Sequence, residues 1–392
     1  MPMTTGLDTT RPGPATLRAC VIGPDILHRQ SLLAMFSALS IDAASAEDSH
    51  TFRSRDGDDG RGRVARAMDL ACGTRDPAYM RYVLDAIDAS RAEVLVFYWG
   101  TLPLSDIVAI KRARPALRTM LMLLCFPLAL SPSGIARQHL VLRRCLPSID
   151  ALICPTAEMA VYLRRRVLGR HRTLVGVVPP CWPDAVRPRQ RATADRARPN
   201  LVYVGRTDLS GKTVHGADDT RVLMRELLDA GIELHHAYSP ETEDGHPNRV
   251  HFKPLSNLQL MEGMAAFDAS LVAYNLDACS RTDRFDLTVP DRLISSVLAG
   301  TPVALPRDGY AASRTYLRDH GALLTFSSAD DLYRQLSDRS RMAELKDVAW
   351  DARSRFVAER QAGALGELLD GLLAGQASGR MRQAGACAGG RG

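Results

Sequence analysis

The stretch Thr288 to Pro306, TVPDRLISSVLAGTPVALP, decides how the chain is read. It divides into a turn, a helix and a short buried strand. Asp291 and Arg292 stand at the helix start, and Pro290 in the first turn wastes no backbone donor. The amide hydrogens left unpaired there, together with the positive end of the helix dipole, suit an anionic group such as a diphosphate. Ile294, Val297 and Leu298 give the helix an apolar stripe, and Gly300 ends it. Pro302-Val303-Ala304-Leu305 is short and apolar enough for a central parallel strand. Arg292 lies beside the positive end of the dipole, a placement that is unfavourable unless an anion offsets it. Its position is therefore a hint of a ligand.

The same alternation extends in both directions. Leu17 to Ile22 reads as a first strand turned by Gly23-Pro24-Asp25 into a helix around Gln30 to Leu39. Ala44 to Arg63, rich in Ser, Asp, Gly and Arg, reads as a loop, and its Asp56-Gly57-Asp58 lacks the flanking strands a metal site would need. Ala78 to Ser90 is helical in pattern, Glu93 to Tyr98 a strand, Leu104 to Arg114 a helix and Arg118 to Cys125 a strand. Strand and helix recurring at this spacing make the class parallel α/β. Pro179, Pro180, Pro183, Pro188 and Pro199 mark a linker, after which Asn200 to Arg206 is a strand delivered to a Gly turn. Gly205 permits close backbone approach, and Arg206 and Lys212 beside it are two cations suited to a pyrophosphate.

These motifs resemble the nucleotide-sugar-dependent glycosyltransferases of the GT-B fold. Many bacterial members read P-x-K-x-x-E-Y-L-A-x-G-x-P-V where this chain has Pro290, Arg292 and Ala299-Gly300-Thr301-Pro302-Val303. Ser295 stands where the family usually has a Glu that grips the donor ribose, and a hydroxyl is a weaker acceptor than a carboxylate. The resemblance continues through Ile149 to Thr156, the strand Thr173 to Val178 and the G-R…K turn of Gly205, Arg206 and Lys212. It implies two Rossmann-like parallel-sheet domains facing a cleft, the first for the acceptor and the second for the nucleotide sugar. Its implied boundaries are a lead at 1–16, a first domain at 17–180, a linker at 181–199, a second domain at 200–340, helices crossing back at 341–374 and a disordered tail at 375–392.

The implied donor site comprises Gly205, Arg206, Lys212, Pro290, Asp291, Arg292 and Ser295, with Lys253 beside the nucleobase. The cations would neutralise the leaving diphosphate, so no metal and no cofactor is expected. Asp25 and His28 lie at the acceptor edge and are the catalytic candidates, His28 as a general base. Three rivals compete with this reading. GRTDLSGKT resembles a phosphate loop but has five residues between its glycines instead of four. A GT-B nucleotide-sugar epimerase would need paired acid and base residues that the sequence does not place. A catalytically silent nucleotide-sugar-binding protein is suggested by Ser295.

Composition limits the partners. The chain of 392 residues suffices for two domains, and no run reaches the roughly 20 apolar residues of a membrane span. The polar opening lacks a signal-peptide core, and the eight cysteines show no C-x-x-C spacing, which reads as a cytoplasmic protein with reduced thiols. Residues 1–180 carry 23 Lys+Arg against 16 Asp+Glu, so the basic face belongs to the first half. Arg143, Arg144, Arg164, Arg165, Arg166, Arg170 and Arg172 are suited to an anionic membrane surface at the inner face or a lipid-linked acceptor. No nucleic-acid motif accompanies them. The acceptor is expected to be a glycan, lipid-linked or small molecule.

Overall fold

The computed structural model describes residues 17–54, 76–98, 104–192, 198–205, 216–237, 246–252 and 256–388. Its first half contains strands β1 (Arg18–Ile22), β2 (Asp42–Ala46), β3 (Val94–Tyr98), β4 (Arg118–Met122), β5 (Ala151–Cys154) and β6 (Leu174–Val177). They form one parallel sheet in the order β2-β1-β3-β4-β5-β6. Between them run helices α1 (Leu27–Ala38), α2 (Ser49–Ser54), α3 (Pro77–Ser90), α4 (Leu104–Ala113), α5 (Pro132–Cys145) and α6 (Ala157–Leu163). Every residue of VLVFY in β3 is buried, as a strand covered on both faces requires.

The second half repeats the plan. Strands β7 (Asn200–Val204), β8 (Glu233–Ala237), β9 (Arg249–Phe252), β10 (Ala269–Leu271), β11 (Val303–Pro306) and β12 (Leu323–Phe326) form a parallel sheet ordered β12-β11-β10-β7-β8-β9. Its helices are α7 (Arg221–Asp229), α8 (Asn257–Met264), α9 (Asp283–Leu287), α10 (Asp291–Ala299), α11 (Ala311–Leu317), α12 (Ala329–Ser337) and α13 (Arg339–Ala352). A last helix, α14 (Ala358–Ala388), lies on the first sheet, where its Ala362, Leu365 and Leu369 share an apolar cluster with Leu32, Met35 and Phe36 of α1. Gly300 takes the left-handed conformation, φ 70°, that closes α10, and a Cβ there would meet Trp350 of α13 at 2.9 Å.

Several expectations are corrected. The loop expected from Ala44 begins instead with the end of β2 and then α2; β2, DAASA, is an edge strand of small residues and carries no apolar run to announce it. Asp56-Gly57-Asp58 lies outside the described residues. The expected loop from Asn275 to Val289 contains α9, and α1 starts three residues before Gln30. Pro290 is the N-cap of α10 and not its first helical residue. The tail expected to be disordered from Gly375 is helical to Ala388, because Ala, Gln, Met and Arg are good helix formers even without an apolar period.

Two buried histidines make stability depend on acid. Burial holds His320 down to about 4 and His236 down to about 3, below the ordinary value near 6.5. Because the folded values are the lower ones, their contribution is complete above pH 6.5 and is lost as pH falls from there toward 4. The melting midpoint should therefore hold from pH 8 to 7 and decline below about 6.5, each histidine costing on the order of 2 kcal/mol by pH 4. His320→Leu should flatten that decline, and an unchanged slope would show that His320 titrates freely in the fold.

Candidate functional site

Each sheet has a topological switch point, between β1 and β3 in the first and between β7 and β10 in the second, and ligands of open α/β sheets bind at such points beyond the strand carboxyl ends. Here the two switch points face each other. The chain leaving β1 contributes Pro24, Ile26 and His28, β3 ends in Tyr98, and Leu124 and Cys125 follow β4. Opposite them stand Val204 at the end of β7, Tyr274 beyond β10, Arg284 and Phe285 of α9, and the start of α10. The cleft they enclose has a volume of about 570 Å³.

Arg292 occupies the second switch point. Its Nη1 donates to the Tyr203 hydroxyl at 2.7 Å and to the Ala273 carbonyl at 3.2 Å. The guanidinium carbon lies 5.0 Å from the Tyr203 ring centre and 4.5 Å from that of Tyr274, so two aromatic rings hold the cation. Tyr274 is fixed in turn, since its backbone N–H donates to the Tyr310 hydroxyl at 2.8 Å. Tyr310 adopts φ 61°, a conformation that costs a non-glycine residue on the order of 1 kcal/mol. That local strain sits directly behind the site. Nη1 of Arg292 is thus committed to the protein, while Nη2 and Nε make no hydrogen bond among the described residues.

The first domain supplies His28, 4% exposed, whose Nε2 donates to Asp291 Oδ1 at 3.0 Å across the cleft. Its ring stacks on Tyr98 at 5.2 Å and meets Trp182 edge-on at 4.5 Å. Trp182, from the linker and 3% exposed, donates its indole N–H to Ser295 Oγ at 3.0 Å. Its backbone pairs with Val357, and its carbonyl accepts from Ala358 at 2.9 Å. Linker, first domain and second domain therefore meet at one indole.

The structure gathers His28, Asp291, Arg292 and Ser295, with Pro290, along this cleft. Asp25 does not line the cleft: its carboxylate, just before α1, lies 2.8 Å from Arg29 Nη2, and that guanidinium holds its carboxyl below the usual range. Gly205 follows β7 directly, and a Cβ there would meet the Tyr203 ring at 2.8 Å. Arg206, Lys212 and Lys253 lie outside the described residues. Tyr98, Trp182, Tyr203, Tyr274 and Arg284 were not anticipated. For Tyr98, Tyr203 and Tyr274 the available signal was an aromatic residue at or near the end of an apolar run. Among the described residues no group of His, Cys, Asp and Glu could hold a metal ion, no helix is long and apolar enough to cross a membrane, and six cysteines are free.

Two Rossmann-like domains with parallel sheets facing a cleft at their switch points define the GT-B fold. Solved structures share it at low identity. A sucrose-phosphate synthase from Thermosynechococcus elongatus is similar over 92% of this chain and 100% of its own, at TM-score 0.59 and 14% identity. An E. coli structure described as trehalose-6-phosphate bound with UDP-2-fluoro glucose covers 90% and 98%, at 0.58 and 12%. Anabaena HepE in complex with UDP and glucose covers 90% and 99%, at 0.55 and 13%. No protein-family model matches the sequence, and no curated protein is similar to it.

Proposed function

We propose that the chain is a glycosyltransferase that moves a sugar from a nucleoside-diphosphate sugar to an acceptor held by the first domain. The observation that carries this reading is the caged Arg292 at the β7/β10 switch point, in the first turn of α10 beside the free amides of that helix. Departure of the donor leaves negative charge on a diphosphate. Fixed cations and amide dipoles aimed at that charge are the efficient way to stabilise it, and they do so without a metal. Arg206 and Lys212 follow β7 in sequence and are assigned to the same diphosphate, and Lys253 to the base. The solved relatives that carry UDP or a UDP sugar support a donor of this type.

His28 is the candidate proton acceptor, since it lines the cleft and Asp25 does not. With Nε2 donating to Asp291, a neutral ring keeps its lone pair on Nδ1. His28→Gln should lower turnover on the order of 10²-fold or more, whereas Asp25→Asn should leave it nearly unchanged. The assay is release of nucleoside diphosphate from a panel of nucleotide sugars, with and without candidate glycan acceptors. Equal losses in the two variants would remove His28 from the chemistry.

A second reading, a nucleotide-sugar-binding protein without turnover, is favoured by one contact. The Ser295 hydroxyl already accepts the Trp182 indole, which leaves a single lone pair to accept from a ribose where a carboxylate would offer two oxygens. Saturable binding with no release of diphosphate would select it. A cytoplasmic protein resting peripherally on an anionic membrane, with a lipid-linked acceptor in polysaccharide synthesis, fits the exposed arginines of α5 and of the turn Arg164–Leu168 that follows α6, and is proposed on charge alone.

A further inference from the structure

A second cavity, of about 550 Å³, opens beside the cleft and plays no part in the donor site. Its floor is the buried Ile135, and its walls come from α5, from α6 with its π turn Arg164–Leu168, and from the approach to α9. Arg143, Arg165, Arg166 and Arg281 line it against a single carboxylate, Asp283. Arg281 is spent on that carboxylate, at 2.7 and 2.9 Å. The other three arginines have no carboxylate partner among the described residues, so the cavity carries net positive charge.

The charge is held in place by the backbone. Arg143 Nε donates to the Val167 carbonyl at 3.1 Å and its Nη2 to the Arg166 carbonyl at 2.5 Å, which pins its guanidinium over the end of the π turn. His139 and Tyr162 form a polar pair at 2.9 Å on the same wall. Burial, then Arg143 and Arg166, push His139 below its ordinary value, as a positive potential would.

The cavity is coupled to the cleft by geometry. Asp283 at the start of α9 faces it while the next residues, Arg284 and Phe285, face the cleft. The Ser280 hydroxyl, beside α9, donates to the Leu130 carbonyl at 2.6 Å, joining the second domain to the loop that separates the two spaces. An acceptor spanning that loop would have one end in each.

We propose that this cavity is a subsite for the phosphate of a phosphorylated acceptor, gripped by Arg143, Arg165 and Arg166 while the acceptor hydroxyl reaches the cleft. Planar guanidinium forks match phosphate oxygens, and three of them around one pocket outnumber what a monoanion needs. The site deepens the glycosyltransferase reading by naming the acceptor class, and it rests on that reading only for the role of its ligand as acceptor.

The test uses the full chain and Arg165→Gln/Arg166→Gln, whose exposed side chains can be shortened without opening a core. Inorganic phosphate and a hexose phosphate are titrated by calorimetry and by the imidazole resonances of His139. Vesicles of phosphatidylglycerol and phosphatidylcholine test a lipid headgroup as the source of the same chemistry. Saturable binding in either arm that raises the His139 titration midpoint and weakens on the order of tenfold or more in the double variant supports the subsite. The arm that responds names the source. No saturable binding, or equal binding in the variant, overturns it. Nucleoside diphosphate is titrated into both proteins as a control for the cleft: its retention with loss of phosphate isolates the subsite, and its absence in both would count against the donor reading instead.

Discussion

Arg292→Ala is expected to lower transfer on the order of 10² to 10³-fold, the usual cost of deleting one fixed donor to a developing anion. It should also destabilise the chain without ligand. The sequence alone suggests the opposite, because a cation beside the positive end of a helix dipole looks unfavourable. The structure supplies what that view lacked: the Tyr203 hydroxyl and the Ala273 carbonyl take the charge, and two rings flank it. Removing the guanidinium orphans the hydroxyl of Tyr203, a residue with no exposed surface, and about 2 kcal/mol of stability should go with it. Arg292→Lys keeps the charge but not the fork, so it should recover part of the stability and little of the transfer. A variant with unaltered turnover would place the diphosphate elsewhere.

Trp182→Ala is expected to cost roughly 3 to 5 kcal/mol, the range for truncating a buried aromatic residue. It should also loosen the cleft, since the indole contacts His28 of the first domain and Ser295 of the second. Trp182→Phe retains most of the volume but not the N–H, and about 1 kcal/mol is the expected loss. Denaturant unfolding followed by fluorescence measures both. If Trp182→Ala unfolds at the wild-type midpoint, the linker is a passive tether and the contacts at its indole carry no energy.

The parallel α/β plan was legible because buried central strands are nearly continuous apolar runs: LVFY in β3, TMLM in β4 and VAL in β11 need no partner to be recognised. β2 was not, since an edge strand of Ala and Ser has no such run. α12 was overlooked although Ser328 is followed three residues later by Asp331, whose N–H it caps at 3.1 Å. In α9, five residues are too few to show a period.

The site was legible where it depends on local backbone geometry, as at the α10 start with Asp291 and Arg292. It was hidden where it depends on the path of the chain. Trp182 and Ser295 are 113 residues apart, and only the crossing of the linker under α10 brings them together. His28 and Asp291 are separated by 263 residues and belong to different domains. Asp25, three residues from His28, looked equally placed, but an i,i+4 arginine claims its carboxylate.

The central claim is that the cleft between the two switch points binds a nucleoside diphosphate at Arg292. Calorimetric titration of the full chain with UDP, GDP, ADP and CDP, in buffer containing a metal chelator, tests it directly. The account predicts one saturable site per chain for at least one base, weakened on the order of tenfold or more in Arg292→Lys, with the bound diphosphate retained in the chelator. No binding by any of the four, or binding of equal strength in Arg292→Lys, would contradict it.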